Sequence, residues 1–384
     1  MSATSPLGAA GALGLALLTT FLLQRRFGAP PPPRRFAPLD GLRGYAAFLV
    51  FLHHTTMWHD VARAGVWEPP ATRLYSHFGQ SSVAVFFMIT GLLFSSKLID
   101  GRTRPIDWRR LYLSRILRLA PLFVFFVALL WIFALALQGF HLRVSVLRAG
   151  LDTLEWLTFA IAGMPDLNRV TTSTIGGAAW SLPYEWWFYL SLPFAAALAA
   201  RRPPRAWLAV GVAGVAAGSW WISVNGHWEI AAAFLGGVAA AFLVRQPAVR
   251  RLAPHPAASI VCIAALAGVT RFPTTYGVIP LLLMSTAFAI IAGGNSLFGA
   301  LTWPAARGLG DTGYSIYLLH NLVLFVVFGL ILAPAQTAAL SPNGYWLTVA
   351  VCTLLVTVVS FVTFRLIEAP AMRSVDRINA LMAP

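Results

Sequence analysis

The sequence predicts an all-α fold, a polytopic bundle of transmembrane helices, on three observations. Hydrophobic residues make up 58% of the 384-residue chain and charged residues only 11%, against roughly 25% charged in soluble domains. The mean hydropathy is +0.72. Third, the apolar residues come in ten successive runs, approximately 38–58, 78–97, 118–138, 180–200, 206–223, 228–244, 257–270, 276–293, 313–333 and 346–367. A perpendicular helical span needs ~20 residues, so the shorter runs have soft boundaries.

An additional apolar segment, residues 7–23, precedes these ten core spans. No basic residue stands before it, and Arg25, Arg26, Arg34 and Arg35 follow it. A cleaved leader carries its positive charge first. The segment is therefore expected to be retained, either spanning or lying at the interface, with its C-terminal end cytoplasmic. Pro30–Pro33 reads as a short stiff linker in polyproline conformation. The expected organisation is thus residues 1–35, apolar segment and proline-rich linker, then one membrane domain over 36–384. The apolar patch Thr153–Met164 is too short to span and is expected in an external loop, 139–179, as a re-entrant or interfacial piece.

A net charge of +15 and a pI near 11.1 would suggest nucleic acid as partner in a soluble protein. In a membrane protein the arginines are first tested against topology. With the first core span starting in the cytoplasm, only Arg63, Arg73, Arg143, Arg148, Arg169 and Arg271 fall outside, and Arg43 falls within the membrane. Topology absorbs most of the charge, so no nucleic-acid partner is expected, and the protein is placed in the inner (plasma) membrane as a multi-pass chain. Cys262 and Cys352 both lie within apolar runs and read as buried thiols rather than a disulfide or metal pair.

Within the first core span, Leu39-Asp-Gly-Leu-Arg-Gly-Tyr-Ala-Ala-Phe-Leu-Val-Phe-Leu-His-His-Thr-Thr56 carries an acid, an arginine and two histidines. A charge at membrane depth costs several kcal/mol unless it is paired or faces a cavity, so ionisable residues there point to function. Arg43 and His54 are eleven residues apart, which puts them within about 20° of one helical face and roughly 16 Å apart along the axis. His53 falls about 80° off that face. One elongated ligand could touch both Arg43 and His54. His53, His54, His59 and Asp60 do not place three ligands on one helical face, so no metal is expected.

Four further stretches carry polar groups into apolar surroundings. In Trp108-Arg-Arg-Leu-Tyr-Leu-Ser-Arg-Ile-Leu-Arg-Leu-Ala-Pro121, Arg115 and Arg118 share a face. They suit either a phosphate or anionic lipid headgroups. In Trp180-Ser-Leu-Pro-Tyr-Glu-Trp-Trp-Phe-Tyr189 an interfacial aromatic belt accounts for the tryptophans and tyrosines but not for Glu185. That carboxylate is either a helix-packing hydrogen-bond group or an orienting group for an imidazole. Leu309-Gly-Asp-Thr-Gly-Tyr-Ser-Ile-Tyr-Leu-Leu-His320 starts a helix with Asp311 or Thr312 as N-cap. It puts His320 within a span, either as a helix-packing group or as a second functional imidazole. Glu368 and Arg365 read as an end-pair closing the last span.

These segments together resemble the acyltransferase-3 family of polytopic membrane acyltransferases. Arg43 and His54 match its arginine, ten residues, histidine pattern. Phe86-Phe-Met-Ile-Thr-Gly-Leu92 resembles its Phe-Phe-x-x-Ser-Gly-Phe segment, with Thr for Ser and Leu for Phe. Arg115, Arg118 and Pro121 match its basic segment; Trp180, Ser181, Glu185, Phe188 and Tyr189 its Trp-Ser-Leu motif; Tyr314, Ser315, Tyr317 and His320 its Tyr-Ser motif; Glu368 and Pro370 its closing Glu-x-Pro. Each match alone is weak, but their common order over about 36–375 is specific.

The resemblance implies transfer of an acyl group, usually acetyl, from cytoplasmic acyl-CoA as co-substrate to a hydroxyl-bearing acceptor such as a glycan, lipid-linked glycan or secondary metabolite. Combined with the spacing, it implies that Arg43, Arg115 and Arg118 hold the CoA phosphates and that the thioester reaches His54. His54 then acts as general base, or as the acceptor of a covalent acyl group, with Glu185 or His320 orienting it. A secondary transporter is the alternative for buried His, Glu and Arg, although the inverted repeats typical of that class are absent from the sequence.

Overall fold

The structure, a computed structural model, describes residues 2–28, 36–100, 106–199 and 201–382. The expected linker Pro30–Pro33 lies outside the described residues, as do Arg34, Arg35, Arg102 and Arg104. Among the described residues every named element is a helix, and each of the ten predicted apolar runs lies in helix. Six helical stretches are long and apolar enough to cross a membrane by length and composition alone: Pro6–Phe27, Arg73–Asp100, Trp108–Leu137, Arg205–Asn225, Gly313–Ile331 and Pro342–Leu381. The remaining runs are helices that are shorter or more polar.

The chain divides into two compact units. It enters the first through α1 (Pro6–Phe27), α2 (Ala37–Ala64) and α3 (Arg73–Asp100). The second takes α4 (Trp108–Leu137), α5 (Val146–Leu157), α6 (Thr172–Ile175), α7 (Leu182–Leu198) and α8 (Arg205–Asn225). The first is then completed by α9 (Trp228–Ala231), α10 (Ala233–Leu243), α11 (Pro247–Leu252), α12 (Pro256–Val269), α13 (Val278–Ala292), α14 (Pro304–Asp311), α15 (Gly313–Leu324), α16 (Pro334–Ala338) and α17 (Pro342–Thr363). The short α18 (Ala369–Arg373) and α19 (Val375–Leu381) belong to the second.

In the first unit α2 is the central helix, packed against α3, α14 and α15. Lipid tails are as apolar as leucine, so close packing and hydrogen bonds hold membrane helices together where the hydrophobic effect does not. Glycines make that approach here. A Cβ on Gly310 would collide with the Asp40 carbonyl, and one on Gly44 would lie 2.7 Å from the Ala306 carbonyl oxygen. α2 ends at Gly65, whose φ of 72° is a left-handed cap that a side chain would strain. Its amide bonds the Val61 carbonyl at 2.8 Å, and the chain turns back.

The leading helix α1 is part of this unit, packed on α14. Tyr75 donates its hydroxyl to the Ser5 carbonyl at 3.1 Å, Gln24 Nε2 to Pro304 at 3.2 Å and Trp346 Nε1 to Ser2 at 2.9 Å. Cys262 and Cys352 are buried free thiols.

In the second unit α8 lies along α7 through Gly211, Gly214 and Gly218, which meet Phe194, Leu190 and Trp187. The patch at 153–164 begins inside α5, a helix of 12 residues and thus about 18 Å long, short of a membrane. Val146, Leu147 and Leu154 are exposed along it, whereas Trp156 is fully buried and donates Nε1 to the Pro165 carbonyl at 2.9 Å.

Gly310→Ala forces a Cβ against backbone and is expected to cost about 1–3 kcal/mol. Gly14→Ala, where nothing lies within 4 Å, should be neutral or slightly stabilising. Thermal unfolding midpoints of the two purified variants check the contrast.

Candidate active site

α2 carries Arg43 and His54 on one unbroken helix. His54 is partly exposed, and its Nδ1 lies 3.0 Å from Nε2 of His320 on α15 and 3.0 Å from the Val50 carbonyl. His320 is wholly buried and its Nδ1 faces the Ile316 carbonyl at 3.0 Å. These partners fix the tautomers of the neutral pair. A carbonyl can only accept, so His320 carries its proton on Nδ1 and offers the Nε2 lone pair. The proton between the rings then belongs to His54 Nδ1, shared with Val50. That leaves Nε2 of His54 as an unprotonated nitrogen, able to take a proton from a ligand.

The neighbouring imidazole has a different place. His53 is buried, donates Nδ1 to the Tyr75 carbonyl at 2.8 Å and packs so closely on Gly79 that a Cβ there would lie 2.8 Å from its ring. It binds α2 to α3. One tryptophan stacks on His54: Trp67, returned by the turn at Gly65, has its ring centroid 6.0 Å away at 28°, and Trp58 in turn lies 5.4 Å from Trp67. Trp58 donates Nε1 to Oδ1 of Asn321 at 3.4 Å, the residue after His320. Phe86 and Tyr317, from two separate motifs, meet edge to face at 5.6 Å.

Arg43 lies near the start of α2, its Nη1 3.4 Å from Asp40 Oδ1. Sequence reasoning gave Asp40 no role. The i, i+3 spacing was its signal, because such residues are neighbours on a helix. Thr312 stands at the N-cap of α15, but its hydroxyl donates backward to the Leu309 carbonyl at 3.1 Å instead of capping.

The other expected site residues lie in the second unit. Glu185 stands in the first turn of α7, where the helix dipole favours a carboxylate. It accepts the Tyr189 hydroxyl at 3.1 Å, and Tyr189 also hydrogen-bonds Arg115. Arg118 lies 2.9 Å from the Met372 sulfur. Tyr189 thus links an acid to a base, and the i, i+4 spacing from Glu185 was the signal for it. Two arginines of the same basic stretch do structural work: Arg110 pairs with Asp376 at 2.7 Å, and Arg109 bonds Asn379 at 3.0 Å and the Met382 carbonyl, which hold α19 on α4. Asp107 caps α4, and the Arg110 amide holds its carboxyl below the usual carboxylate range. Among the described residues no group of three His, Cys, Asp or Glu side chains could hold a metal.

The family model described as an acyltransferase domain matches residues 36–365, and the chain belongs to that acyltransferase-3 family. It is a multi-pass membrane acyltransferase. Among its relatives, an acyltransferase of Streptomyces mycarofaciens, MdmB, is 26% identical over 329 residues, 77% of this chain and 80% of that protein. Protein 2 in the picA locus of Rhizobium radiobacter is 26% identical over 161 residues, 40% of this chain and 76% of that protein. No solved structure matches.

His320→Ala removes the acceptor of the His54 Nδ1 proton without touching Nε2. If His54 Nε2 takes the acceptor's proton, this is expected to lower acyl-transfer turnover about 10-fold or more while leaving substrate KM within about 3-fold. His53→Ala should lower the unfolding midpoint and leave the turnover of folded enzyme near wild type. Initial-rate kinetics on membranes check both. Loss of turnover in folded His53→Ala, with His54→Ala active, would overturn the assignment.

Proposed function

We propose that the protein moves an acyl group, acetyl foremost, from acyl-CoA to a hydroxyl of a carbohydrate, lipid-linked glycan or secondary metabolite, with His54 as general base. The single observation that supports this reading most is the pairing of His54 with His320, which leaves His54 Nε2 free to accept a proton. The acceptor hydroxyl gives its proton to Nε2 as its oxygen attacks the thioester carbonyl. The new C–O bond forms, the C–S bond breaks, and the proton passes from the imidazolium to the departing CoA thiolate. While His54 is charged, its Nδ1–H bond to His320 Nε2 shares that charge. General-base catalysis of this kind contributes about 10²- to 10⁴-fold in rate.

Arg43 is the proposed anchor for the donor's phosphates. It stands roughly 16 Å from His54 along α2, a separation that suits the pantetheine arm between phosphates and thioester. An arginine fork suits phosphate oxygens through paired hydrogen bonds. Arg115 and Arg118 are further phosphate candidates on the same chemical ground, and Glu185 is proposed to act through Tyr189. Trp67 and Trp58 give the acceptor an aromatic wall beside His54, of the kind on which sugar faces or apolar rings rest. The reading needs no metal, and it places the chain in the inner membrane with acyl-CoA drawn from the cytoplasm.

Acceptor-dependent release of free CoA by membranes containing the protein is the expected result, with His54→Ala reducing it at least ~100-fold. CoA levels unchanged by any hydroxyl acceptor would sink the donor assignment. Arg43→Gln should raise KM for acyl-CoA about 10-fold or more, the scale of a lost charged hydrogen bond. With an acyl-pantetheine donor that lacks the nucleotide phosphates, the same variant should match wild type; an equal defect there would mean that Arg43 does not read the phosphates.

A further inference from the structure

Acyl transfer to a hydroxyl competes with hydrolysis, because a base that deprotonates an alcohol beside a thioester also deprotonates water, which is far more abundant. A transferase therefore has to keep water from its base, and closing elements over a site do so. The surroundings of His54 contain one such element. Nδ1 of the imidazole is taken by His320 at 3.0 Å, the His53 ring meets it edge-on with centroids 4.9 Å apart, and Trp67 lies across one face at 6.0 Å and 28°. A ring stacked on a face does not block the in-plane lone pair of Nε2. Trp67 thus narrows the approach to His54 and leaves its unprotonated nitrogen open.

Trp67 comes from a loop and yet is held. From Arg63 to Pro69 every residue is exposed except Trp67, which is half-buried against the core around α2. Pro69 and Pro70 follow at once, and their fixed φ stiffens the loop. The Trp67 ring meets Trp58 edge to face at 5.4 Å, and Trp58 is itself anchored, by its Nε1 bond to the fully buried Asn321 at 3.4 Å and by Phe325 at 5.9 Å. The link runs in series: Asn321 fixes Trp58, Trp58 backs Trp67, and Trp67 covers His54. By the arginine count Arg63 and Arg73 flank this loop on the outer side, the side from which external water approaches.

We infer that Trp67 is a specificity-determining residue that reserves His54 for the acceptor hydroxyl against water, and that Asn321 positions it through Trp58. The inference rests on the reading of His54 as general base toward acyl-CoA. With Trp67 removed, water gives its proton to His54 Nε2 as its oxygen attacks the thioester carbonyl. The C–O bond forms, the C–S bond breaks, the proton passes to the CoA thiolate, and a free carboxylic acid leaves.

The test gives the detergent-purified full chain acetyl-CoA with no acceptor and measures the release of CoA and acetate. Trp67→Ala is expected to raise that release at least ~10-fold over wild type, and Trp67→Phe, which keeps a ring there, to stay within ~2-fold of wild type. Asn321→Leu, which removes the acceptor of the Trp58 N–H, should raise it ~3-fold or more. A gain of activity cannot come from a variant that fails to fold. Adding His54→Ala to Trp67→Ala should abolish the gain. Release by folded Trp67→Ala no faster than by wild type, or a gain that survives the loss of His54, would overturn the assignment. A gain in Trp67→Ala with none in folded Asn321→Leu would overturn the positioning role of Asn321. Equilibrium dialysis of acetyl-CoA against the same preparations separates the two readings: a wild type that binds no acetyl-CoA overturns the donor and this inference with it, whereas binding without the gain overturns the role of Trp67 alone.

Discussion

The hydrogen bond between His54 Nδ1 and His320 Nε2, 3.0 Å long, is the contact on which the reading of the first unit depends. Two imidazoles in an apolar bundle are costly as isolated polar groups, and each offsets the other's loss of water. The bond also has a direction. The Ile316 carbonyl fixes the proton on the far side of His320, and the near side must accept, so the unprotonated nitrogen of His54 is set by a backbone atom four residues before His320. Such a pair needs α2 and α15 close together. Glycines at the α2–α14 contact and the short step from α14 into α15 provide that closeness. The bond and the small residues are parts of one constraint, because a wider helix spacing would leave each ring with only a carbonyl of its own helix.

The arginines divide by partner more than by position. Arg43 answers to Asp40 one turn earlier, Arg115 to Tyr189, Arg118 to a sulfur, and Arg109 and Arg110 to the C-terminal helix. Positive charge in this chain first satisfies topology, as any multi-pass protein requires. Some of it then serves as mortar between helices. A high net charge is consequently poor evidence of a polyanionic partner.

Tryptophans near His54 show how local signals and tertiary placement interact. Gly65 ends α2 by a left-handed cap, a feature legible from glycine after an apolar run. The consequence, that Trp67 then returns to lie over His54, is not legible, because it depends on the path of a loop. Trp58 is one turn past His54 and so shares its face, yet its bond to Asn321 on α15 is invisible from spacing within α2.

Hydropathy and the 100° step of a helix are local properties, and what depends on them was determined by the sequence alone: the all-α membrane fold, the helices at all ten predicted runs, the family, and the separation of His54 from His53 by phase. Helix length, by contrast, varied: among the described residues six helices are long and apolar enough to cross a membrane, the leading α1 and five of the ten predicted runs. Partners across helices were decided only by the tertiary structure. His54 and His320 are 266 residues apart, and nothing in either motif says which of several polar groups will face the other. Glu185 was open between two roles, and its observed partner proved to be Tyr189 in its own helix. The physical reason is the same in each case: a helix's sequence specifies which side chains share a face, while the residue that meets that face is chosen by close packing with a different part of the chain.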